Sequence, residues 1–164
     1  MSEVQRIANT IACNIPDMTK RYHVTSSLGS GATCYEQVEA FHVLYDAPVE
    51  KTPVEGFPSM DDARVQMRLD LIEEEFEELK VAANGRDLIE VADALGDLIY
   101  VVTGFAIEAG IDLQAVVAEI HASNMTKLDS DGSVIRREDG KILKGPNYRR
   151  PDIRTALFGL GVVV

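Results

Sequence analysis

The chain has 164 residues, and 27 acidic against 16 basic side chains give it a formal net charge of −11. This length favours one domain, and the acidic balance argues against nucleic acid or an anionic membrane surface as the main partner. Its longest strongly apolar stretch, residues 98–107, is well below the about 20 residues that span a bilayer. Because no signal-peptide pattern opens the sequence either, we expect a cytoplasmic protein. Cys13 and Cys34 predict free thiols.

Amphipathic patterns predict four main helices. Residues 1–33 are interpreted as an N-terminal extension, in which apolar residues at helical spacing from Val4 to Ile11 predict one short helix. The main helices are predicted over residues 35–45, 62–83, 87–108 and 112–127. Ser59 or Asp61 caps the second helix in this interpretation, Asp87 the third and Asp112 the fourth. Asn84 and Gly85 are expected to end the second helix with a left-handed residue.

The pattern changes after the fourth helix. Residues 134–144 predict a short β-hairpin around an Asp139-Gly140 turn, and Asp152 is expected to cap a last short helix that reaches about Leu157. The predicted class is all-α, a helical bundle of four main helices with a short C-terminal β-hairpin and a final short helix. We divide the chain into the extension (1–33), the helical domain (34–158) and a tail (159–164).

The second predicted helix carries five acidic residues within positions 73–78. At about 100° per residue, Glu74, Glu75 and Glu78 form one patch beside the apolar stripe, whereas Glu73 and Glu77 lie on the other side. A run of like charges is most often a solvated face. In a half-buried patch, however, carboxylates repel each other, and their pKa values rise unless a cation compensates.

The third predicted helix is apolar nearly all round, which is typical of a helix inside a bundle. It nevertheless carries Glu90, Asp93 and Asp97 along one line, which is either its solvent-facing stripe or a functional row. Acidic faces on consecutive antiparallel helices can converge, and a set of oxygen ligands without imidazole or thiolate favours Mg²⁺, with Mn²⁺ second. A di-iron site is disfavoured, because only Glu39 and His42 have the required Glu-x-x-His spacing.

Basic residues are concentrated in the C-terminal part of the chain. They either balance surface charge or fold over a polyphosphate. Asn124 lies on the apolar stripe of the fourth helix, where a buried amide needs hydrogen-bond partners. It is either a satisfied core residue or a group that faces a base edge.

These acidic motifs resemble a known signature. Glu74-Glu75-Phe76-Glu77-Glu78, followed by the run from Glu90 to Asp97, is similar to the Glu-Glu-x-x-Glu … Glu-x-x-Asp pattern of the all-α nucleoside triphosphate pyrophosphohydrolases. This is the MazG-like superfamily, which includes phosphoribosyl-ATP pyrophosphatase. Residues 93–102, 110–113, 121–127 and 137–144 resemble its dUTP-hydrolysing subgroup. The resemblance covers about residues 36–158.

The resemblance implies Mg²⁺-dependent hydrolysis of a (deoxy)nucleoside triphosphate, with dUTP or a related dNTP favoured, between the α and β phosphates. Such an enzyme releases the monophosphate and pyrophosphate and cleans the nucleotide pool. Glu75, Glu78 and Asp97 match metal ligands, and Glu74 matches a residue that orients or deprotonates the attacking water. Ala94 departs from the motif, so that Asp93, or less readily Glu90, supplies the missing ligand. Glu74 and Glu75 are the expected catalytic residues.

The resemblance also implies a nucleotide-binding set. The expected substrate-binding residues are Asn124, Lys127, Lys141, Lys144, Tyr148 and His42, the last as part of a Phe41-His42 pair that lines the base pocket. A homodimer or homotetramer is expected. One alternative is a related helical pyrophosphatase for a modified or metabolite nucleotide. A second, from a different class, is a non-catalytic acidic interaction module.

Overall fold

The computed structural model describes residues 32–53 and 60–159. In chain order its helices are α1 (Cys34–Leu44), α2 (Asp62–Gly85), α3 (Leu88–Glu108), α4 (Leu113–Asn124) and α5 (Ile153–Phe158). These residues contain no β-strand, and none of their helices is by itself long and apolar enough to cross a membrane. The predicted all-α class is therefore confirmed. The helix predicted between Val4 and Ile11, together with Cys13, lies outside the described residues.

Each helix begins at a side chain that accepts a hydrogen bond from an otherwise unpaired backbone N–H. The N-caps are Thr33, Asp61, Asp87, Asp112 and Asp152. Thr33 forms a full capping box with Glu36, since each side chain accepts from the other residue's backbone N–H. The caps expected at Asp87, Asp112 and Asp152 are confirmed, and Asp61 begins α2.

The predicted C-terminal β-hairpin is wrong. Residues 134–144 make the expected turn, with Gly140 at a φ of 85°. The two sides of this turn are joined by only one isolated antiparallel bridge, between Arg136 and Ile142. Ile135 is the one residue of this segment that is not exposed. A two-stranded hairpin is marginal in water unless it buries an apolar face, and this segment buries almost none.

Two predicted helix ends are also corrected. The left-handed residue after α2 is Arg86, with a φ of 56°, and Gly85 is still helical. The fourth helix ends at Asn124 rather than near Lys127. There the hydroxyl of Thr126 donates to the backbone carbonyl of Ser123 at 2.7 Å, which is the side-chain competition that favours helix termination.

The described residues form two compact units, divided between Ile111 and Asp112. In the first unit α2 and α3 form an antiparallel helical hairpin, and α1 packs on α3. Its most buried apolar side chains, Val38 and Ile107, come from α1 and from the C-terminal half of α3. In the second unit α4 packs against α5.

The α2–α3 contact, which we call the seam, has a regular register. Arg64 pairs with Glu108, and four residues further along α2 the guanidinium of Arg68 lies against Gly104, four residues back along α3. Seven residues beyond Arg68, Glu75 interacts with Asp97, which is seven residues before Gly104. Steps of four and seven residues return to the same helix face, so both helices keep one face in the seam along its length.

The N-terminal half of α3 is not enclosed, contrary to the expectation of a helix buried inside a bundle. Leu88, Ile89 and Leu95 are 78%, 74% and 44% exposed. The reason is that α1 covers the C-terminal half of α3, where the buried residues from Thr103 onward lie. The hydrophobic pattern indicated that this helix is apolar, but it did not indicate which element covers each side.

Gly110 follows α3 where a side chain does not fit. Its φ is 67°, and a Cβ there would lie 2.4 Å from the carbonyl oxygen of Thr52. We therefore expect Gly110→Ala to lower the free energy of unfolding by about 1–3 kcal/mol, as measured by urea denaturation. Gly96→Ala is the matched control, because no heavy atom lies within 4 Å of its Cβ position. It should be neutral or stabilising by up to about 1 kcal/mol, and equal losses in both variants would contradict the packing argument.

Candidate active site

Four carboxylates of α2 and α3 converge on the half-buried carboxylate of Glu75. Burial raises the pKa of Glu75, and the negative charges of Asp97, Glu78, Glu74 and Asp93 raise it further, in that order. We call these five residues the acid cluster. They are the positions to which the sequence assigned metal binding and catalysis. Mutual repulsion of this kind is what a bound cation relieves.

A groove of about 360 Å³ continues the acid cluster toward the α2–α3 turn. It is lined by Glu77, Glu78, Val81, Ala82, Glu90, Asp93 and Ala94. Asp93 thus belongs to both the cluster and the groove, whereas Glu90 is one helical turn before it. Glu77 was predicted on the opposite side of the helix and instead lines this groove, because it lies only about 100° from Glu78 around the axis.

The donor set suits a hard divalent cation, since every side chain of the cluster offers carboxylate oxygens. Four of the five are exposed, and only Glu75 is half-buried. Within residues 32–53 and 60–159, however, no three side chains of ligand type already form a group that could hold a metal ion. The acid cluster therefore offers the oxygen ligands that Mg²⁺ prefers, brought together from two helices. Its carboxylates are not already arranged as a complete set of metal ligands.

The second unit carries the predicted phosphate-binding residues. The ammonium of Lys144 lies 4.4 Å from the ring centroid of Tyr148. A hydrogen bond with Ser123, together with the charges of Lys144 and Lys127, lowers the pKa of Tyr148. The phenol therefore has two cations in electrostatic range. Lys141 is exposed on the preceding turn.

Asn124 is exposed, so the expected buried amide on the apolar stripe of the fourth helix is wrong. The stripe itself is open, since Val117 and Ile120 are 54% and 40% exposed. The buried polar residue is the preceding Ser123, which donates to the carbonyl oxygen of Arg149 at 2.7 Å. This bond ties the end of α4 to the C-terminal segment. The roles assigned to Asn124 and Lys141 stay predictions.

A charged cluster lies at the other end of the seam. Glu108 is fully buried and accepts hydrogen bonds from the guanidinium groups of Arg64 and Arg68, including 2.6 Å from Arg64 Nε to its Oε2. Burial alone would raise the pKa of Glu108, but the hydrogen bonds from the two arginines outweigh it and lower that pKa. We call these three residues the Arg–Glu clamp.

His42 completes this buried region and is only 2% exposed. Its Nδ1 lies 2.9 Å from the carbonyl oxygen of Pro48, and its Nε2 lies 3.1 Å from a guanidinium nitrogen of Arg68. Because a carbonyl only accepts and a guanidinium only donates, Nδ1 carries the proton and the ring is neutral. Both ring nitrogens are therefore engaged within the fold. The predicted role of His42 in substrate binding stays a prediction.

The burial of His42 predicts a pH-dependent stability. Burial is the main cause that lowers the pKa of His42 in the fold, so the unfolded chain takes up a proton first as the pH falls below about 6.5. Stability is then lost until the pH reaches the lowered value, by about 1.4 kcal/mol for each pKa unit of lowering. Urea denaturation at about pH 7.5 and about pH 5.5 measures the loss.

The control for this prediction is His42→Asn, which keeps a donor for Pro48 and does not titrate. It should lose less stability over the same pH interval. The raised pKa of Glu75 acts with the opposite sign and is common to both proteins, so the difference between them isolates His42. Equal losses would show that His42 does not cause the pH dependence.

Next to the buried histidine, Phe41 is open to solvent and forms an aromatic group. Its ring centroid lies 4.4 Å from that of Tyr45 and 5.7 Å from that of Tyr100. Tyr100 lies one helical turn after Asp97, so this group borders the acid cluster along α3. Phe41 and Tyr45 are 43% and 65% exposed, and such rings can stack with a planar ligand.

The sequence from α1 to α4 shows which family the chain belongs to. The model for phosphoribosyl-ATP pyrophosphohydrolase matches residues 38–124, which is just over half of the chain. The chain belongs to this family. The match confirms the resemblance to the MazG-like superfamily and contains both the acid cluster and the Arg–Glu clamp. Lys127, Lys144 and Tyr148 lie beyond it.

One curated relative is similar to part of the chain. The chain is 38% identical over 82 residues to an uncharacterized protein of Acanthamoeba polyphaga mimivirus. The aligned segment covers 50% of this chain and 33% of that protein, so the chain spans about a third of the length of the curated relative it matches. The family is one of hydrolases that act on phosphoric anhydrides.

The Arg–Glu clamp and Ser123 were missed by the sequence reasoning. A signal for the clamp was available, since Arg64 and Arg68 are four residues apart and lie eleven and seven residues before Glu75, respectively. That spacing places them on the same helix face as the acids. Folding the hairpin at residues 86–87 then brings Glu108 opposite them. For Ser123 no signal separates it from a solvent-exposed serine.

Proposed function

We propose that this protein hydrolyses nucleoside triphosphates between the α and β phosphates and releases the monophosphate and pyrophosphate. The favoured substrate is dUTP or a related deoxynucleotide. The observation that carries the proposal is the convergence of Asp97, Glu78, Glu74 and Asp93 on Glu75, inside the segment that matches the pyrophosphohydrolase family. An acidic cluster of this kind repels a bare polyphosphate, so divalent cations must mediate the contact.

Glu75, Glu78, Asp93 and Asp97 are the residues that would hold Mg²⁺ in this proposal. When bound, the metal neutralises charge that develops on the phosphoryl group and lowers the pKa of a coordinated water. We assign the missing family ligand to Asp93 rather than to Glu90, because the charge of Asp93 acts directly on Glu75.

Glu74 is exposed at the edge of the cluster and serves as the base. It accepts the proton of the attacking water, the oxygen of that water bonds to the α phosphorus, and pyrophosphate leaves in line. In the second unit, Lys127, Lys144 and Tyr148 keep the phosphate-binding role that the family resemblance implies, and the charges of both lysines act on Tyr148. The exposed rings of Phe41 and Tyr45 supply a stacking surface for the base.

The direct test is turnover of a panel of NTPs and dNTPs with Mg²⁺. Phosphate is measured after addition of inorganic pyrophosphatase, and omission of that enzyme distinguishes pyrophosphate from phosphate release. Release of pyrophosphate from a deoxynucleotide supports the proposal. Turnover of a modified or metabolite nucleotide alone would favour the related helical pyrophosphatase. Absence of turnover across both sets, with purified folded protein, would refute an enzymatic role.

Metal binding predicts a shift of the melting temperature. Mg²⁺ that binds the folded protein and not the unfolded chain must raise the melting temperature of the wild type. Glu75→Ala combined with Asp97→Ala should remove the shift, because the central carboxylate and its strongest neighbour are gone. Differential scanning calorimetry with and without Mg²⁺ measures it. A non-catalytic acidic interaction module predicts no specific shift in either protein.

We further propose that the protein acts as a homodimer or homotetramer. Leu88, Ile89 and Val81 at the tip of the α2–α3 hairpin are each more than 70% exposed, and contiguous exposed apolar surface marks an interaction site. Light scattering coupled to size-exclusion chromatography measures the mass. A monomer at all accessible concentrations would refute this assembly.

A further inference from the structure

The two ends of the seam carry opposite kinds of electrostatic contact. At one end Glu78 of α2 and Asp93 of α3 line one groove, and the charge of Asp97 repels that of Glu75 beside it. At the other end Glu108 attracts Arg64 and Arg68. The two contacts are in the same register, since Arg64 and Glu75 are separated by eleven residues of α2, and their counterparts Glu108 and Asp97 are separated by the same number on α3.

The acid cluster cannot hold its own geometry before a cation binds. Like charges at close range favour separation of the two helices or a slip along the seam. Buried ion networks contribute little net stability compared with apolar side chains, and their best-attested role is to specify register. A slip of one helical turn would move Glu75 about 5.4 Å from its place opposite Asp97, and it would break the contact of Glu108 with one of the two arginines, because Arg64 and Arg68 are themselves one turn apart.

The side chains around the Arg–Glu clamp are packed so closely that α2 and α3 have little room to shift. A Cβ at position 104 would lie 2.8 Å from Nη1 of Arg68 and 3.0 Å from Nε2 of His42. Gly104 therefore allows the guanidinium to lie directly against the backbone of α3. His42 contacts the same guanidinium from α1, so three helices meet at Arg68.

We propose that the Arg–Glu clamp positions the acid cluster, by fixing α2 and α3 in the register that places Glu75 opposite Asp97. The clamp residues act through the helices and do not touch the substrate. Metal affinity at the cluster therefore depends on a buried ion network at the far end of the seam. This inference rests on the proposed function, in which the cluster binds a divalent cation.

The test is calorimetric titration of the full chain with MnCl₂, which reads metal affinity independently of turnover. Glu108→Gln keeps the side-chain volume and removes the charge that holds both arginines. We expect it to weaken Mn²⁺ binding about tenfold or more, the range seen when groups that orient metal ligands are lost. Ile107→Ala is the matched control, because Ile107 is equally buried one position earlier. It should destabilise the fold and leave the affinity unchanged.

Arg64→Met and Arg64→Lys provide a second pair if Glu108→Gln does not fold, since Arg64 is 33% exposed. The methionine variant should weaken binding, and the lysine variant should restore most of it. If the wild type binds Mn²⁺ and the clamp variants bind as tightly as Ile107→Ala, the clamp is structural only and the positioning role is refuted, while the proposed function stands. If the wild type binds no Mn²⁺, the proposed function fails and this inference falls with it.

Discussion

Glu75→Gln and Asp97→Asn are each expected to lower the rate of triphosphate hydrolysis by at least about 100-fold, the typical cost of a lost electrostatic contact to the transition state. Glu75 is the residue on which the other four carboxylates of the acid cluster act, and Asp97 is the strongest of them. Both substitutions keep the shape of the side chain and remove one negative charge. The fold should therefore persist while the cluster loses affinity for its cation.

The control for these variants is Glu73→Gln, on the exposed side of the same helix. It removes the same charge from the same acidic run, and it should keep full activity. Steady-state rates with saturating Mg²⁺ and dUTP compare the three variants. If all three lose activity equally, the effect follows from net charge rather than from the cluster. If Glu75→Gln keeps wild-type activity, the assignment of the active site is wrong.

Glu108→Ala is expected to cost roughly 3 kcal/mol of unfolding free energy, the lower end of the range for breaking a buried ion pair. Glu108 is fully buried, and its removal takes away the carboxylate that both guanidinium groups share, although Asp61 still acts on Arg64. The lower end applies because the side chain of Arg64 is 33% exposed and can regain water, whereas that of Arg68 is only 9% exposed. Equilibrium denaturation in urea measures the loss.

Glu39→Ala is the comparison for this prediction. Glu39 is also buried, but its partner Lys51 is 72% exposed and becomes solvated when the pair is broken. We expect a cost of about 1 kcal/mol or less for that ion pair. Replacing Arg64, Arg68 and Glu108 together by apolar residues should recover most of the stability lost in Glu108→Ala. If Glu108→Ala lowers the free energy of unfolding no more than Glu39→Ala does, the Arg–Glu clamp is solvated.

The helices were predictable because their signals are local. Aspartates at 87, 112 and 152 cap the helices that follow them, and a cap acts within one turn of its own residue. The C-terminal hairpin failed for the opposite reason. Its Asp139-Gly140 turn was read correctly, but strands also need a buried face, which residues 134–144 do not supply.

The residues that form the acid cluster were predictable, but the burial of each carboxylate was not. The spacing of Glu75 and Glu78 on one helix, and of Asp93 and Asp97 on the next, is fixed by helix periodicity. How far each carboxylate is buried depends on what packs beside it. The expectation that Asn124 is buried was wrong, because the apolar stripe of its helix is exposed. His42, in contrast, is enclosed by contacts with Pro48 and Arg68.

The helical class, the helix starts and the membership of the two acidic rows follow from the amino-acid sequence, because each depends on residues within a few positions of one another in one helix. Which groups are buried together depends on the tertiary fold. It placed Glu108 between Arg64 and Arg68, and it set them in register with Glu75 and Asp97. The physical reason is that desolvation and charge pairing depend on the neighbours that folding brings from distant parts of the chain.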